Sequence, residues 1–229
     1  MAENRNHPGF DVSGESLLLP GIELYALDHT SPEPEVLNAL SRETHLRTTS
    51  PQMLSGHLQG TLLRMISLMC KPKLALEIGT FTGYSAICLA SGISQGGTLH
   101  TIECNPEPGE IASKYFRKAG LETVIHQHIG DAFDILQELN GPFGLVFIDA
   151  NKDDYIRYFE MVFPKVETGG IILADNTLWY GRVLTPQAAT DRETKGIVAF
   201  NEYIRNHSGV ESLLLPVRDG LTIIRKLKS

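Results

Sequence analysis

Four residues of the types that hold cations or move protons stand where two apolar runs end. LVFID (145–149) closes on Asp149 and is followed three positions later by Lys152, while GGIILAD (169–175) closes on Asp175 and passes directly to Asn176. Two carboxylates and an amide carbonyl, with no His or Cys beside them, make a hard oxygen donor set. Such a set suits Mg²⁺, Ca²⁺ or Mn²⁺ and does not suit structural zinc. Taken singly each residue has a plainer reading, Asp149 as a helix cap and Asp175-Asn176 as a turn. Lys152 is a candidate base: its ordinary pKa is about 10.4, and desolvation beside a cation would lower it toward accepting a proton. Its plainer reading is a solvated lysine at a helix start, a place the helix dipole disfavours.

A second group lies upstream. EIGTFTGYS (77–85) sets Gly79 and Gly83 between the apolar run LALEI (74–78) and the helical segment YSAICLA (84–90). Glycine lets a backbone turn sharply and approach a ligand. The spacing is GxxxG, so neither the dinucleotide fingerprint GxGxxG nor a phosphate loop fits. Glu103 ends TLHTIE (98–103), 26 positions after Glu77, where a carboxylate can accept hydrogen bonds from both hydroxyls of a ribose. A diphosphate would be repelled by the Glu77 carboxylate; a ligand carrying an amino acid and a sulfonium would not.

The segments that must position these residues alternate in character. A helix is expected over 31–47, with Val36, Leu37, Leu40 and Leu46 on one face, and another opening at Ser50-Pro51. The second carries Leu54, Leu58, Leu62, Met65, Ile66 and Met69 at helical spacing, and its methionines read as core filler. From Lys73 onward strands and helices take turns: 74–78, 98–103, 123–129, 145–149 and 169–175 as strands, with helices over 84–90, 106–118, 131–139, about 153–166 and 191–206. ESLLLPV and LTIIRKL then flank Arg218-Asp219-Gly220, a hairpin signal. Five βα repeats closed by a hairpin describe an α/β fold with a mostly parallel, doubly wound sheet and helices on both faces. In such a sheet Glu77, Glu103, Asp149 and Asp175 all reach the carboxyl edge, where ligands bind. One domain is expected over 1–229: an arm at 1–30, helices at 31–70 and the core at 71–229. The hexapeptide ESLLLP at 15–20 and 211–216 has no similarity around it and reads as coincidence.

The chain has 229 residues, 42% of them hydrophobic, enough for one large core. A net charge of −7, from 27 acidic and 20 basic residues, argues against nucleic acid or an anionic membrane as partner. The cysteines Cys70, Cys88 and Cys104 lack CxxC spacing and read as reduced thiols. The start MAENRNHPGFD has no apolar signal region, and no apolar run approaches the roughly 20 residues of a membrane helix. A cytoplasmic protein is expected.

LEIGTFTGYSA, TIE, FIDANKDDY, GGIILADNTLWYGRV and LPVRDGLTIIRK together resemble the cation-dependent O-methyltransferases, a family that includes plant caffeoyl-CoA O-methyltransferases, animal catechol O-methyltransferase and bacterial relatives. The resemblance runs from about Met53 to the C-terminus. It implies a seven-stranded, Rossmann-like class I methyltransferase fold and S-adenosylmethionine as methyl donor. By motif position Glu77, Gly79, Gly83, Tyr84 and Ser85 would line the methionine and ribose side of the cofactor. Glu103 would hold the ribose hydroxyls, Asp131 and Ala132 would lie by the adenine, and Met53 and Ser55 would close over the ligand. Asp149, Asp175 and Asn176 match the metal ligands, Asp149 also facing the cofactor, and Lys152 matches the base. Trp179, Tyr180 and Arg182 would wall a pocket for a small phenolic acceptor with vicinal hydroxyls. Asn151, where plant relatives tend to have Asp, and GDAFDIL (130–136) depart from the plant pattern. No long insertion lies between 139 and 145 of the kind that grips a CoA ester, which favours a small substrate. A homodimer is the family expectation. Two other readings compete: a nicotinamide-dependent oxidoreductase, which lacks its GxGxxG here, and a non-catalytic binding protein, which would not need the Asp149, Lys152, Asp175, Asn176 set intact.

Overall fold

Apolar runs of five or six residues are long enough to cross a sheet and too short to form stable helices, and here they become strands. The computed structural model describes residues 20–185 and 191–228. Its strands are β1 (Leu74–Ile78), β2 (Thr98–Glu103), β3 (Ile125–Ile129), β4 (Phe143–Ile148), β5 (Val166–Asp175), β6 (Val210–Leu215) and β7 (Leu221–Lys226). They form one sheet in the order β3-β2-β1-β4-β5-β7-β6. The pairs from β3 through β5 are parallel, and β7 runs antiparallel to both β5 and β6. The helices are α1 (Pro20–Asp28), α2 (Glu35–Arg47), α3 (Gly56–Cys70), α4 (Tyr84–Ala90), α5 (Pro106–Lys118), α6 (Ala132–Glu138), α7 (Tyr155–Val162) and α8 (Arg192–Arg205).

Central β4 is buried at all six positions, as a strand covered on both faces must be. Its side chains alternate between two cores. Leu145 and Phe147 join α2 to α5 on one face, and Val146 and Ile148 join α6 to α8 on the other. The chain order reverses between β1 and β4, and the carboxyl edge at that switch point opens a crevice.

The N-terminal helices differ most from expectation. Pro51–Met53 form a separate 3₁₀ turn, and α3 begins only at Gly56. It turns Gln59, Gly60, Leu63, Ile66 and Ser67 inward, leaving Met65 and Met69 exposed rather than in the core. Leu46 is also outside, 76% exposed, because α2 buries Leu37, Leu40 and Thr44 instead. Residues 20–28, read as part of an arm, are the apolar helix α1 packed on α3, while residues 1–19 and the first ESLLLP lie outside the described residues but for Pro20. Cys70, Cys88 and Cys104 are free thiols. Among the described residues no helix is long and apolar enough to cross a membrane.

Candidate active site

The parallel register brings the chemistry-bearing residues to one edge. Ile148 of β4 pairs with Ala174 of β5, so Asp149 and Asp175 leave the sheet side by side. The chain then turns sharply at Asn176, whose φ is 55°. Lys152 follows Asp149 in a short 3₁₀ turn and folds back beneath it. Its Nζ donates to Asp149 Oδ1 at 2.8 Å and to the Tyr155 hydroxyl at 2.8 Å. That hydroxyl in turn donates to the main-chain carbonyl of Asp175 at 2.9 Å. Tyr155 is fully buried and ties Lys152 to the ends of both strands.

The electrostatics follow from burial. Asp175 is pushed up to about 6 by burial and by the Asp149 charge, against the pull of Lys152 and Arg218. Burial alone would lower Lys152, as the sequence reading expected. Its neighbours Asp149, Tyr155 and Asp175 outweigh that effect, and its pKa is raised above the ordinary value. Without a cation on the carboxylates, Lys152 is a firmly held ammonium.

Across the crevice, Glu77 is fully buried in β1. Its Oε2 accepts the Thr101 hydroxyl at 2.5 Å, and its Oε1 is buried without a hydrogen-bond partner. Burial pushes this carboxyl up to about 8, although Ser85 and Thr101 oppose the shift. A Cβ at Gly79 would lie 1.9 Å from the Asp149 carbonyl oxygen, so only glycine lets the β1 and β4 ends meet. Gly83, at φ 91°, lies against the Phe116 ring of α5 and serves packing. Glu103 at the end of β2 accepts main-chain N–H groups from Phe81 at 2.7 Å and Asn105 at 2.9 Å.

Other candidates have further commitments. The Tyr84 ring lies against Gly60 of α3 and its hydroxyl donates to Glu33, so the side chain faces the N-terminal helices. Asp131 caps α6, accepting from the N–H groups of Phe133 and Asp134, with Ala132 opening the helix. Ser55 is buried, Met53 exposed. Trp179, Tyr180 and Arg182 sit in a 3₁₀ segment, Trp179–Leu184, that is kinked at Tyr180 and Gly181, and Lys152 Nζ is 5.9 Å from the Trp179 ring centre. Asn151 donates to Asp154 at 2.8 Å, a local turn contact that accounts for its amide.

Three comparisons bear on this geometry. Residues 27–227 match the family model for O-methyltransferase. The chain belongs to that family. Caffeoyl-CoA O-methyltransferase 2 of Populus trichocarpa is 32% identical over 207 residues, 86% of this chain and 83% of that one. The Medicago sativa caffeoyl-CoA O-methyltransferase is 32% identical over 231 residues, covering 95% and 94%. Among solved structures, the O-methyltransferase TomG of Streptomyces achromogenes in complex with SAM aligns at a TM-score of 0.82 with 30% identity, covering 91% and 96%. The Bacillus cereus O-methyltransferase in complex with SAH aligns at 0.83 with 28% identity, covering 90% and 97%. This O-methyltransferase therefore has the class I methyltransferase fold expected from its motifs.

Sequence reasoning missed two residues of the site. Asp219, read as part of a tight hairpin turn, is 2% exposed and reaches the loop after β5. Arg218 beside it donates to the carbonyls of Ser55 and Gln52 and to Gln59 Oε1, at 2.7–3.0 Å. The connection between β6 and β7 is residues 216–220, and it contains the Arg218-Asp219-Gly220 signal of the expected hairpin.

Proposed function

We propose that this O-methyltransferase takes a methyl group from S-adenosylmethionine and, with a divalent cation, delivers it to one hydroxyl of a small catechol-like ring. The observation that carries the reading is the pairing of Asp149 with Asp175 at adjacent strand ends, Lys152 bonded to the first and Asn176 following the second. This donor set fits a hard cation. Held by Asp149, Asp175 and Asn176, such a cation would supply Lewis acidity to the acceptor hydroxyl and would neutralise the two carboxylates. With Asp149 and Asp175 so occupied, the attraction that now holds Lys152 protonated weakens. Its Nζ, fixed by Tyr155, is then placed to take the hydroxyl proton.

The orphaned Glu77 Oε1 fits the cationic amino group of the cofactor, whose sulfonium methyl is the electrophile. Glu103 has acceptor capacity left for ribose hydroxyls. Gly79, Gly83 and Ser85 shape the turn between them, and Tyr84 contributes through its backbone. Asp131 and Ala132 flank the adenine end, and Met53 and Ser55 cover the ligand. Trp179, Tyr180 and Arg182 wall the acceptor. Only four residues separate α6 from β4, consistent with a small acceptor. The exposed Ile22, Leu24 and Tyr25 of α1 with Met65 and Met69 of α3 favour a second copy of the chain as partner.

The test is methyl transfer from S-adenosylmethionine to a panel of catechols, caffeate, caffeoyl esters and flavonoids, with EDTA and with Mg²⁺, Ca²⁺ or Mn²⁺ restored. Methylated catechol should form only with cation present and be lost in Asp149→Ala. Activity undiminished by EDTA would sink the cation role. Thermal stabilisation by NAD but not S-adenosylhomocysteine would favour the oxidoreductase reading.

A further inference from the structure

An amide that ligates a hard cation must present its oxygen, and nothing within an asparagine decides which end faces the metal. In this protein the decision falls to a residue 43 positions downstream. Asp219 Oδ2 faces Asn176 Nδ2 at 3.4 Å, and Asp219 Oδ1 accepts the N–H of Tyr180. Its main-chain carbonyl accepts the Leu178 N–H at 2.9 Å, and that of Gly220 accepts the Thr177 N–H at 3.0 Å. Two residues of the β6–β7 connection thus hold the whole run from Asn176 to Tyr180. Within that run Asn176, Trp179 and Tyr180 have φ of 55°, 46° and 53°. Side chains rarely adopt such conformations unless their surroundings enforce them.

We propose that Asp219 is a positioning residue for the cation site, fixing the Asn176 amide so that its oxygen is the end offered to the ion. The inference rests on the reading of Asn176 as a ligand. Asp219 Oδ2 accepts from Asn176 Nδ2 while its Oδ1 is taken by the Tyr180 N–H, so the end of the amide turned toward Asp219 is the NH₂. Oδ1 is left as the amide's outward acceptor. Groups behind a metal's ligands orient them in this way, and their removal typically weakens binding about 10–100-fold. Asp219→Asn conserves shape and keeps an acceptor for Tyr180. It also sets an NH₂ against the NH₂ of Asn176, so one of the two amides must turn over.

Mn²⁺ binding, read from the loss of the free-ion EPR signal at saturating S-adenosylhomocysteine, tests this directly. Asp219→Asn should weaken Mn²⁺ binding about tenfold or more, while S-adenosylhomocysteine affinity and the melting temperature stay near wild type. The reciprocal double variant, Asn176→Asp with Asp219→Asn, restores a donor facing an acceptor and should bind Mn²⁺ at least as tightly as wild type. A merely structural Asp219 would not be rescued by that exchange. Equal Mn²⁺ affinity in wild type and Asp219→Asn overturns the proposal and leaves the cation site standing. Loss of Mn²⁺ binding that the double variant does not recover overturns it as well. Wild type that binds no Mn²⁺ removes the cation reading itself, and the proposal with it. Should Asp219→Asn not fold, the double variant decides alone.

Discussion

Replacing Glu77 with glutamine should make the free enzyme more stable at pH 8 and a poorer binder of its cofactor. Glu77 is wholly buried in β1, one carboxylate oxygen has no partner, and burial pushes its pKa from an ordinary 4.5 to about 8. Because folding raises the pKa, the associated stability is complete below pH 4.5 and is lost as pH rises toward 8. A gap of about 3.5 in pKa, at about 1.36 kcal/mol each, puts that loss on the order of 5 kcal/mol. Glutamine cannot ionise and escapes it. Against this, the new NH₂ would occupy the place of the partnerless oxygen, and an unsatisfied buried group costs about 1–3 kcal/mol. The net gain at pH 8 is then about 2–4 kcal/mol, or ~4–16 °C in melting temperature for a chain of this length.

The assay is thermal unfolding of wild type and Glu77→Gln from pH 4.5 to 8.5, without ligand. The two curves should diverge as pH rises, the variant becoming the more stable. Parallel curves would refute the reasoning, since they would mean that Glu77 has the same pKa folded and unfolded. Ligand binding gives an independent reading. An ammonium beside Glu77 draws the carboxyl into its ionised form, so S-adenosylhomocysteine should bind wild type with release of a proton below pH 8. Affinity should then rise toward tenfold per pH unit in wild type and stay flat, and weaker, in the variant. Calorimetry in two buffers of different ionisation enthalpy measures the proton.

Three further outcomes are expected. Gly79→Ala places a methyl 1.9 Å from the Asp149 carbonyl oxygen at a backbone φ of 102°; strain and overpacking together should cost about 2–5 kcal/mol, and an unchanged urea midpoint would contradict it. Arg218→Ala frees the 52–59 segment from its three hydrogen bonds and should raise KM for S-adenosylmethionine about tenfold with little change in kcat, since each charge-assisted bond contributes ~1.5–3 kcal/mol at most; Arg218→Lys, with one ammonium for a fork, should recover part of the loss, and an unaltered KM would show the clamp to be idle. Glu43, which joins α2 to α5, is held at about 2 by its hydrogen bond from Lys114 together with Tyr115 and Arg47. Its contribution is present above pH 4.5 and lost as pH falls through 2, so Glu43→Gln should cost about 1–2 kcal/mol at pH 7, after allowance for solvent screening, and nothing near pH 2.

The alternation of apolar runs and helical segments was legible because each strand is local and its burial shows in its own composition. YSAICLA and Pro106–Lys118 form helices over the spans expected. The candidate residues stood out for a related reason: an apolar strand that ends in Asp or Glu delivers that group to the carboxyl edge wherever the neighbouring strands fall. What pairs with such a group is another matter. The lowered pKa expected of Lys152 presupposes a cation beside it; with none on the carboxylates, the sign is set by Asp149 at 2.8 Å. The inward face of α3 was only partly legible. Leu62 and Ile66 pack inward as expected, as does Leu54 just before the helix, but Met65 and Met69 do not, because the spacing allows two stripes and contact with α4 selects one. Asp219 carried no local sign of burial at all; Asp-Gly reads as a turn, and its partners lie about 40 residues earlier.

Backbone strain explains why the acceptor side of the site was the least legible part. Among the described residues six without a glycine's freedom have positive φ: Lys71, Phe81, Asn176, Trp179, Tyr180 and Arg218. All but Lys71 lie along the carboxyl edge around the site. Of the five, only asparagine belongs to the types that tolerate this region, so propensity rules point away from the conformation that Phe, Trp, Tyr and Arg adopt. Each such residue costs roughly 1–3 kcal/mol and persists where its surroundings leave no alternative. Here the enforcing groups are identifiable: Glu103 accepts the N–H of Phe81, Asp219 accepts the N–H of Tyr180, and Arg218 is anchored by Gln52, Ser55 and Gln59. Glu103, a candidate ribose contact, and Asp219, which lies behind the candidate cation ligand Asn176, thus each hold strained backbone as well. Glu103→Ala should therefore disturb loop geometry and ligand binding together, whereas Asp219→Asn, which keeps an acceptor for the Tyr180 N–H, separates the second effect from the first.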